Sequence, residues 1–307
     1  MKKYLPLLII VLIVTGIYYA IIQQPRGPIA QKPKVATTIY PLYDVAKTIA
    51  GNETDVVLLL PAGVSEHLYE PKSTTIKKAQ GADIIFAIGQ ELDNWVDAIM
   101  PQIDSAQKIT VDLRIPLKEY THHDDHEEDH NATHHEEETG AYDPHYWLDP
   151  NNMIIIIDTM SNYIAGNDPD NATLYSERAS ALKQRIQEQD AIWTEQLATL
   201  EDKNIITFHN AFAYFADHFN INVVATVEPF AGKEPTAQYL QELQSIIEEH
   251  NVTRVYREPQ LSSSVLTRFA DDYNITIGVL DPLGGSKETE TYIDLINYNV
   301  EAILQKK

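Results

Sequence analysis

Cysteine is absent from the 307 residues. Without it no disulfide, thiolate zinc site, iron–sulfur cluster or nucleophilic thiol can be built, so any metal centre must draw on imidazole and oxygen. Positive charge is scarce as well: 23 Lys and Arg stand against 45 Asp and Glu, a formal net charge of −22. That balance argues against nucleic-acid binding, which needs clustered cations to displace counterions from phosphates. The motif G-x-x-x-x-G-K-[ST] is also missing, which removes a nucleotide-binding loop. What is present is a 44% hydrophobic complement, enough for a full core, in a length that predicts about two domains.

Residues 4–22 form an uncharged, mostly apolar run behind Lys2 and Lys3. The run is long enough to cross a bilayer core, which takes about 20 helical residues. We read it as a retained membrane anchor, with the basic flank in the cytoplasm and everything after it outside. The alternative is a cleaved signal, giving a secreted or periplasmic protein. A signal expects a shorter apolar region and a small-x-small cleavage site, which Tyr18, Tyr19, Ala20 and Ile21 do not supply. Lipid anchoring would need a Cys. Residues 23–33 carry Pro and Gly and read as a tether, so 1–33 form one N-terminal segment. N-x-T sequons begin at Asn52, Asn131, Asn171, Asn251 and Asn274; glycosylated and unmodified turn asparagines both remain open readings.

From Lys34 onward, short β-branched runs alternate with stretches of helical character, the pattern of parallel sheets with crossover helices. The runs at 35–40, 55–61, 83–89 and 108–113 are matched by a second set at 204–209, 221–227, 253–258 and 275–281. The fold class this predicts is α/β, with two similar lobes, each holding a four-stranded, mainly parallel sheet flanked by helices. The first lobe is assigned to 34–150, with an acidic loop at 119–138, and the second to 203–307. Between them, 151–202 is a helical linker region. Asp168-Pro169 supplies a cap and a first-turn proline for one long rigid helix over 168–200, whose apolar residues recur at spacings of three and four from Tyr175 to Leu200. The run MIIIIDTM at 153–160 suits either a strand or, after Asp149-Pro150, a helix; we favour the helix. Open parallel sheets gather ligands at the carboxyl ends of their strands, and two lobes facing each other that way enclose a cleft.

The 11 histidines fall into two populations. Six of them, His122, His123, His126, His130, His134 and His135, share 119–138 with nine acids and no Lys or Arg. Such a segment cannot bury a core, but it suits weak, exchanging coordination of divalent ions. Of the others, His67 follows the second strand run, His145 lies just after the acidic loop, and His209 closes the first strand run of the second lobe. Asp281 ends the last run. Three imidazoles and one carboxylate satisfy a tetrahedral zinc site. Glu66, beside His67, is a second candidate carboxylate, and Asp281 could equally cap a helix or accept from an imidazole N–H. His218 and His250 fall on or at the ends of helical stretches and read as ordinary surface or helix-terminal histidines.

At these residues the sequence resembles the metal-binding proteins of ABC importers, the substrate-binding family for zinc and manganese. The resemblance covers essentially all of 34–307 and rests on ordered blocks: TTIYPLYDVAKTIAG at 37–51, LLLPAGVSEHLYEP at 58–71, DPHYWLDP at 143–150, TFHNAFAYF at 207–215, REPQLSSS at 257–264 and VLDPLGG at 279–285. It implies two lobes joined by a long rigid helix, metal in the interlobe cleft, and ligands at His67, His145, His209 and Asp281. Manganese-type members are expected to carry Glu at the third position, so His209 and the acidic His-rich loop both mark the zinc type; hard Mn²⁺ also favours oxygen donors.

The expected function is a monomeric extracytoplasmic zinc receptor that passes Zn²⁺, with Mn²⁺ the less favoured cargo, to a permease and its ATPase. It is expected to bind rather than catalyse. Rival readings are a manganese importer component or surface adhesin of the same family and, from another class, a zinc hydrolase with Glu66 as its base.

Overall fold

The structure, a computed structural model, describes residues 32–104, 106–119, 142–228, 232–233, 235–261, 266, 270, 273 and 275–304. The apolar run 4–22 and the six loop histidines lie outside them. Among the described residues no helix is long and apolar enough to cross a membrane.

The first sheet uses β1 (Lys34–Thr37), β2 (Asp55–Leu58), β3 (Ile84–Ala87) and β4 (Gln107–Thr110), with α1 (Tyr40–Ala50), α2 (Ser73–Ala79) and α3 (Trp95–Ile99) in the crossovers. Two helices follow, α4 (Pro150–Asn167) and α5 (Ala172–Ala198). The second sheet is built from β5 (Asn204–Thr207), β6 (Asn222–Thr226), β7 (Arg254–Arg257) and β8 (Thr276–Val279), with α6 (Ala213–Phe219) after β5, α7 (Ala237–His250) after β6 and α8 (Tyr292–Leu304) closing the chain. The strand orders are β2-β1-β3-β4 and β6-β5-β7-β8, so the same topology occurs twice. Every ladder is parallel. All eight expected strands are present, each ending before its sequence run does. The leftover residues form the loops at the carboxyl ends, where the polar side chains gather.

Local sequence explains the helices that frame the cleft. In α1, Leu42, Val45, Ala46 and Ile49 recur at spacings of three and four and are buried, and Gly51 at φ 59° ends the helix. The ambiguous Ile run is helical: Asp149 accepts from the Asn151 N–H at 2.8 Å, proline opens the first turn, and Met153, Ile156, Ile157, Met160 and Ile164 form the buried stripe. The regular part of the long helix starts later than its sequence suggests. Residues Pro169–Asn171 form a 3₁₀ turn, and the regular helix α5 covers 27 residues from Ala172, about 40 Å at 1.5 Å per residue. Asp168 accepts at its carboxylate from the Asn171 side-chain amide at 2.8 Å and from the Tyr175 hydroxyl at 2.5 Å.

Along α5, Tyr175, Ala179, Leu182, Ile186, Trp193 and Leu197 are all buried in the largest apolar cluster, which also takes in α1, α4 and α8. The halves meet along a seam of specific contacts. The Trp147 indole donates to the Pro282 carbonyl at 2.8 Å, and the Tyr292 hydroxyl donates back to the Trp147 carbonyl at 2.9 Å. The Tyr40 hydroxyl reaches the Glu290 carbonyl at 2.8 Å, and Asp44 accepts from the Tyr292 N–H at 2.8 Å. Gly285, at φ +85°, lies so close to the Tyr40 ring that a Cβ would stand 2.8 Å from it.

Candidate metal centre

The carboxyl ends of the second sheet each deliver a polar side chain within two residues of the strand: His209 after β5, Glu228 after β6, Glu258 after β7 and Asp281 after β8. The first half contributes Glu66 and His67 from the irregular segment after β2, and His145 from the stretch leading into α4. Three expected ligands, His67, His145 and His209, come together with Glu66, their ligand atoms all within 4.8 Å of one another. Glu66, His145 and His209 are buried, and His67 is partly exposed.

Hydrogen bonding fixes what these groups present. His145 Nδ1 lies 2.7 Å from Asp143 Oδ1, and His209 Nδ1 lies 2.7 Å from Glu258 Oε1. A carboxylate at Nδ1 holds the proton there, which leaves each Nε2 as a bare lone pair. His145 Nε2 is 3.4 Å from His209 Nε2 and 3.0 Å from His67 Nε2. At such distances two ring nitrogens either share a proton or turn their lone pairs to a common cation. Tetrahedral zinc with Zn–N near 2.05 Å requires nitrogens about 3.3 Å apart, close to the observed spacing. Glu66 Oε1, 4.0 Å from His145 Nε2, is buried and has no hydrogen-bond partner among the described residues. A buried carboxylate oxygen without a donor costs free energy that a bound cation would recover.

The electrostatics follow from that burial. Burial raises the Glu66 carboxyl from 4.5 to about 7, with Glu258 and Asp281 adding to the effect. His67 and His145 are held well below their ordinary value by burial and then by neighbouring imidazoles. Burial pushes His209 down too, but Glu258, backed by Glu66 and Asp143, outweighs it and raises that imidazole above 6.5. Burial lifts Asp143 to about 7, opposed by its hydrogen bond from the His145 backbone. His67 and His145 are therefore held as neutral imidazoles, each with one ring nitrogen that can offer a lone pair to a metal ion.

The sequence reading favoured Asp281 as the fourth ligand, with Glu66 as second candidate. In the structure the group of four contains Glu66. Asp281 lies outside it, its Oδ1 accepting from Gln260 Nε2 at 2.7 Å and from the backbone of Leu283 and Gly284, each at 3.0 Å. Asn299 on α8 holds the Asp281 backbone from both sides at 2.8 Å. Glu258 and Asp143, the acceptors that orient His209 and His145, had no role in the sequence reading. Asp143 sits two residues before His145 in DPH and was legible in principle; Glu258 is 49 residues from His209 and was not. His218 is helix-terminal as expected, yet it is not a surface group: its side chain is 9% exposed and lies between Asp149 and Asp190. His250 ends α7 and is exposed.

Comparison with known proteins gives concordant matches. Residues 35–306 match the family described as zinc-uptake complex component A, periplasmic. The zinc-binding protein AdcA of Streptococcus pyogenes serotype M3 is 28% identical over 286 residues, covering 89% of this chain and 55% of that protein. The chain thus spans about half the length of that relative. The high-affinity zinc uptake system protein ZnuA of Bacillus subtilis is 30% identical over 281 residues, 89% of this chain and 86% of that one. Among solved structures, a crystal structure of ZnuA superposes with a TM-score of 0.75 at 25% identity, covering 90% of this chain and 97% of its own.

Proposed function

Since the chain belongs to the family of periplasmic component A proteins of zinc-uptake complexes, we propose that it is an extracytoplasmic zinc receptor that delivers Zn²⁺ to the permease of an ABC importer. The observation that carries this reading is the convergence of three imidazole Nε2 atoms and one unpartnered carboxylate oxygen from both halves of the chain. Zinc is the cargo. Each imidazole donates its Nε2 lone pair, Glu66 supplies negative charge, and Asp281 supports the cleft wall from the second half. Three imidazoles favour Zn²⁺ over the harder Mn²⁺. Four protein donors leave no open position for an activated water, which speaks for capture over hydrolysis. In this reading 34–150 and 203–307 are the lobes and 151–202 the linker region. Residues 4–22 hold the chain at the outer membrane face, the acidic loop at 119–138 raises local cation concentration, and one chain works alone.

Calorimetry on His67→Ala, His145→Ala and His209→Ala tests the site. One tight zinc site is expected in the parent and none of comparable affinity in the variants; parent-like stoichiometry and affinity in all three would sink the assignment. Competition of Zn²⁺ against Mn²⁺ on protein purified without chelator checks the choice of metal. Deleting 121–138 should leave the tight site intact, and its loss would overturn the accessory role given to the loop.

A further inference from the structure

The His218 imidazole occupies an unusual position. Its Nδ1 is 2.9 Å from Asp149 Oδ1 and its Nε2 is 2.7 Å from Asp190 Oδ1. A neutral imidazole has one N–H, so it can satisfy one of these carboxylates and must turn a lone pair toward the other. Only the imidazolium satisfies both. The Asn151 side-chain nitrogen lies 3.2 Å from Nδ1 and by itself favours a lone pair there, but it is a longer contact than either carboxylate makes; the Phe219 ring packs perpendicular to the imidazole at 4.5 Å. His218 also lies in the last turn of α6, where the helix dipole favours positive charge. Two tyrosines also sense these carboxylates and are kept neutral, Tyr292 by burial and then by Asp149 and Asp190, and Tyr214 by burial first, with Asp143 and Asp149 adding to it.

The three residues belong to three elements with different duties. Asp149 caps α4 and follows His145 by four positions, with one 3₁₀ turn between them. Asp190 projects from α5. His218 closes α6, which begins four residues after His209. The same short helix grips the other flank of His145. The Tyr214 hydroxyl donates to the Asp143 carbonyl at 3.2 Å and accepts from the Lys118 N–H at 2.7 Å. Asp217 pairs with Lys118 Nζ at 2.7 Å. The rings of Tyr146 and Tyr214 meet at 6.4 Å. Thus α6 holds the His145 segment on both sides, and the His218 contact ties that assembly to the long helix.

The geometry points to His218 as a cationic strut, a positioning residue that fixes the His145 segment against the His209 segment through Asp149 and Asp190 and thereby slows release of the bound metal ion. It touches no ligand, so it acts through the two loops. The inference rests on the zinc-receptor reading above, and it gives that reading a determinant of residence time that the ligand set alone does not contain.

Two variants test it, His218→Gln, which can satisfy only one carboxylate, and Asp190→Asn, which leaves the α4 cap intact. Zinc dissociation is followed by chelator capture in stopped flow, the geometry of the site by the ligand-field bands of the Co²⁺-loaded protein, and the charge of His218 by its ¹⁵N shifts in the metal-free parent. Expected are an imidazolium at pH 7.5, dissociation about tenfold faster in either variant, the scale of one lost charge-assisted hydrogen bond, and shifted Co²⁺ bands. A neutral His218, or parent-like dissociation and unchanged bands in folded Asp190→Asn, would overturn the proposal even if the melting temperature fell. Should His218→Gln not fold, Asp190→Asn decides alone. A parent that shows no tight zinc site refutes the receptor reading instead, so the two failures are distinguishable.

Discussion

Replacing Glu258 by Gln removes one charge from beneath His209 while keeping an oxygen in place. Glu258 Oε1 accepts from His209 Nδ1 at 2.7 Å and from the His209 backbone N–H at 3.2 Å, and the residue is 2% exposed. The amide oxygen of Gln can accept the same two bonds, so the tautomer that frees Nε2 is retained. What is lost is the carboxylate's enhancement of the imidazole's basicity, an effect of about 10–100-fold in metal affinity for such supporting groups, or about 1.4–2.7 kcal/mol. Glu258→Ala should be worse, because two buried donors then lack a partner, at about 1–3 kcal/mol each. The pH dependence carries a sign. In the parent, Glu258 raises the His209 pKa above its ordinary value, so zinc displaces more proton there than from an ordinary imidazole. In Glu258→Gln burial dominates, His209 is neutral sooner, and less proton is displaced. The affinity deficit should therefore be largest near pH 8 and shrink toward pH 6. Zinc titration against a chromophoric chelator across that range measures the ratio, and calorimetry in buffers of different ionisation enthalpy counts the protons. A deficit that is absent at pH 8, or constant with pH, would refute the reasoning.

Glu66→Gln should separate stability from binding. The buried carboxyl, raised from 4.5 to about 7, destabilises the metal-free fold progressively as pH rises from its unfolded value through 7, so the amide should raise the metal-free melting temperature at pH 8 while weakening zinc binding; a lower melting temperature would contradict this. His218 works in the opposite sense for the parent: with its pKa raised from 6.5 to about 9, its stabilisation is full below about 6.5 and gone above about 9, so denaturation midpoints should fall across that window in the parent and stay flatter in His218→Gln. Trp193→Ala, at a fully buried position on α5 whose indole donates to Asn297 at 3.3 Å, should cost about 3–5 kcal/mol in chemical denaturation without changing the metal stoichiometry.

The parts of the molecule legible in the sequence are those where one physical requirement acts locally. Each of the eight strands is a β-branched run bounded by turn residues, and α1 and α4 announce themselves through three-and-four spacing with a proline in the first turn. The three clustered histidines stood out because imidazoles at the carboxyl ends of parallel strands are chemically informative wherever they occur. Long-range partnerships were not legible. Glu258 is an unremarkable acid until β7 is laid beside β5, and His218 looks like a helix-end histidine until Asp190, 28 residues away, reaches it. The different surroundings of Glu66 and Asp281 rest on hydrogen bonds that no spacing encodes: Asp281 Oδ1 accepts from Gln260, Leu283 and Gly284, whereas Glu66 Oε1 lies by the histidines with no donor among the described residues. The long helix does open at Asp168-Pro169, though its first turn is 3₁₀ and the regular helix runs from Ala172.

The contact between Gly285 and the Tyr40 ring gives the protein a vulnerable point remote from its chemistry. Any L-residue at 285 would have to adopt φ +85° and push aside an aromatic ring 2.8 Å from its Cβ. A single added methyl group there is a wedge in the seam, able to spoil the alignment of the two halves while every donor atom stays intact. In an inherited or engineered variant, such a lesion would look like a loss of zinc binding with no ligand mutated. A survey of inactive variants confined to the histidines would overlook it.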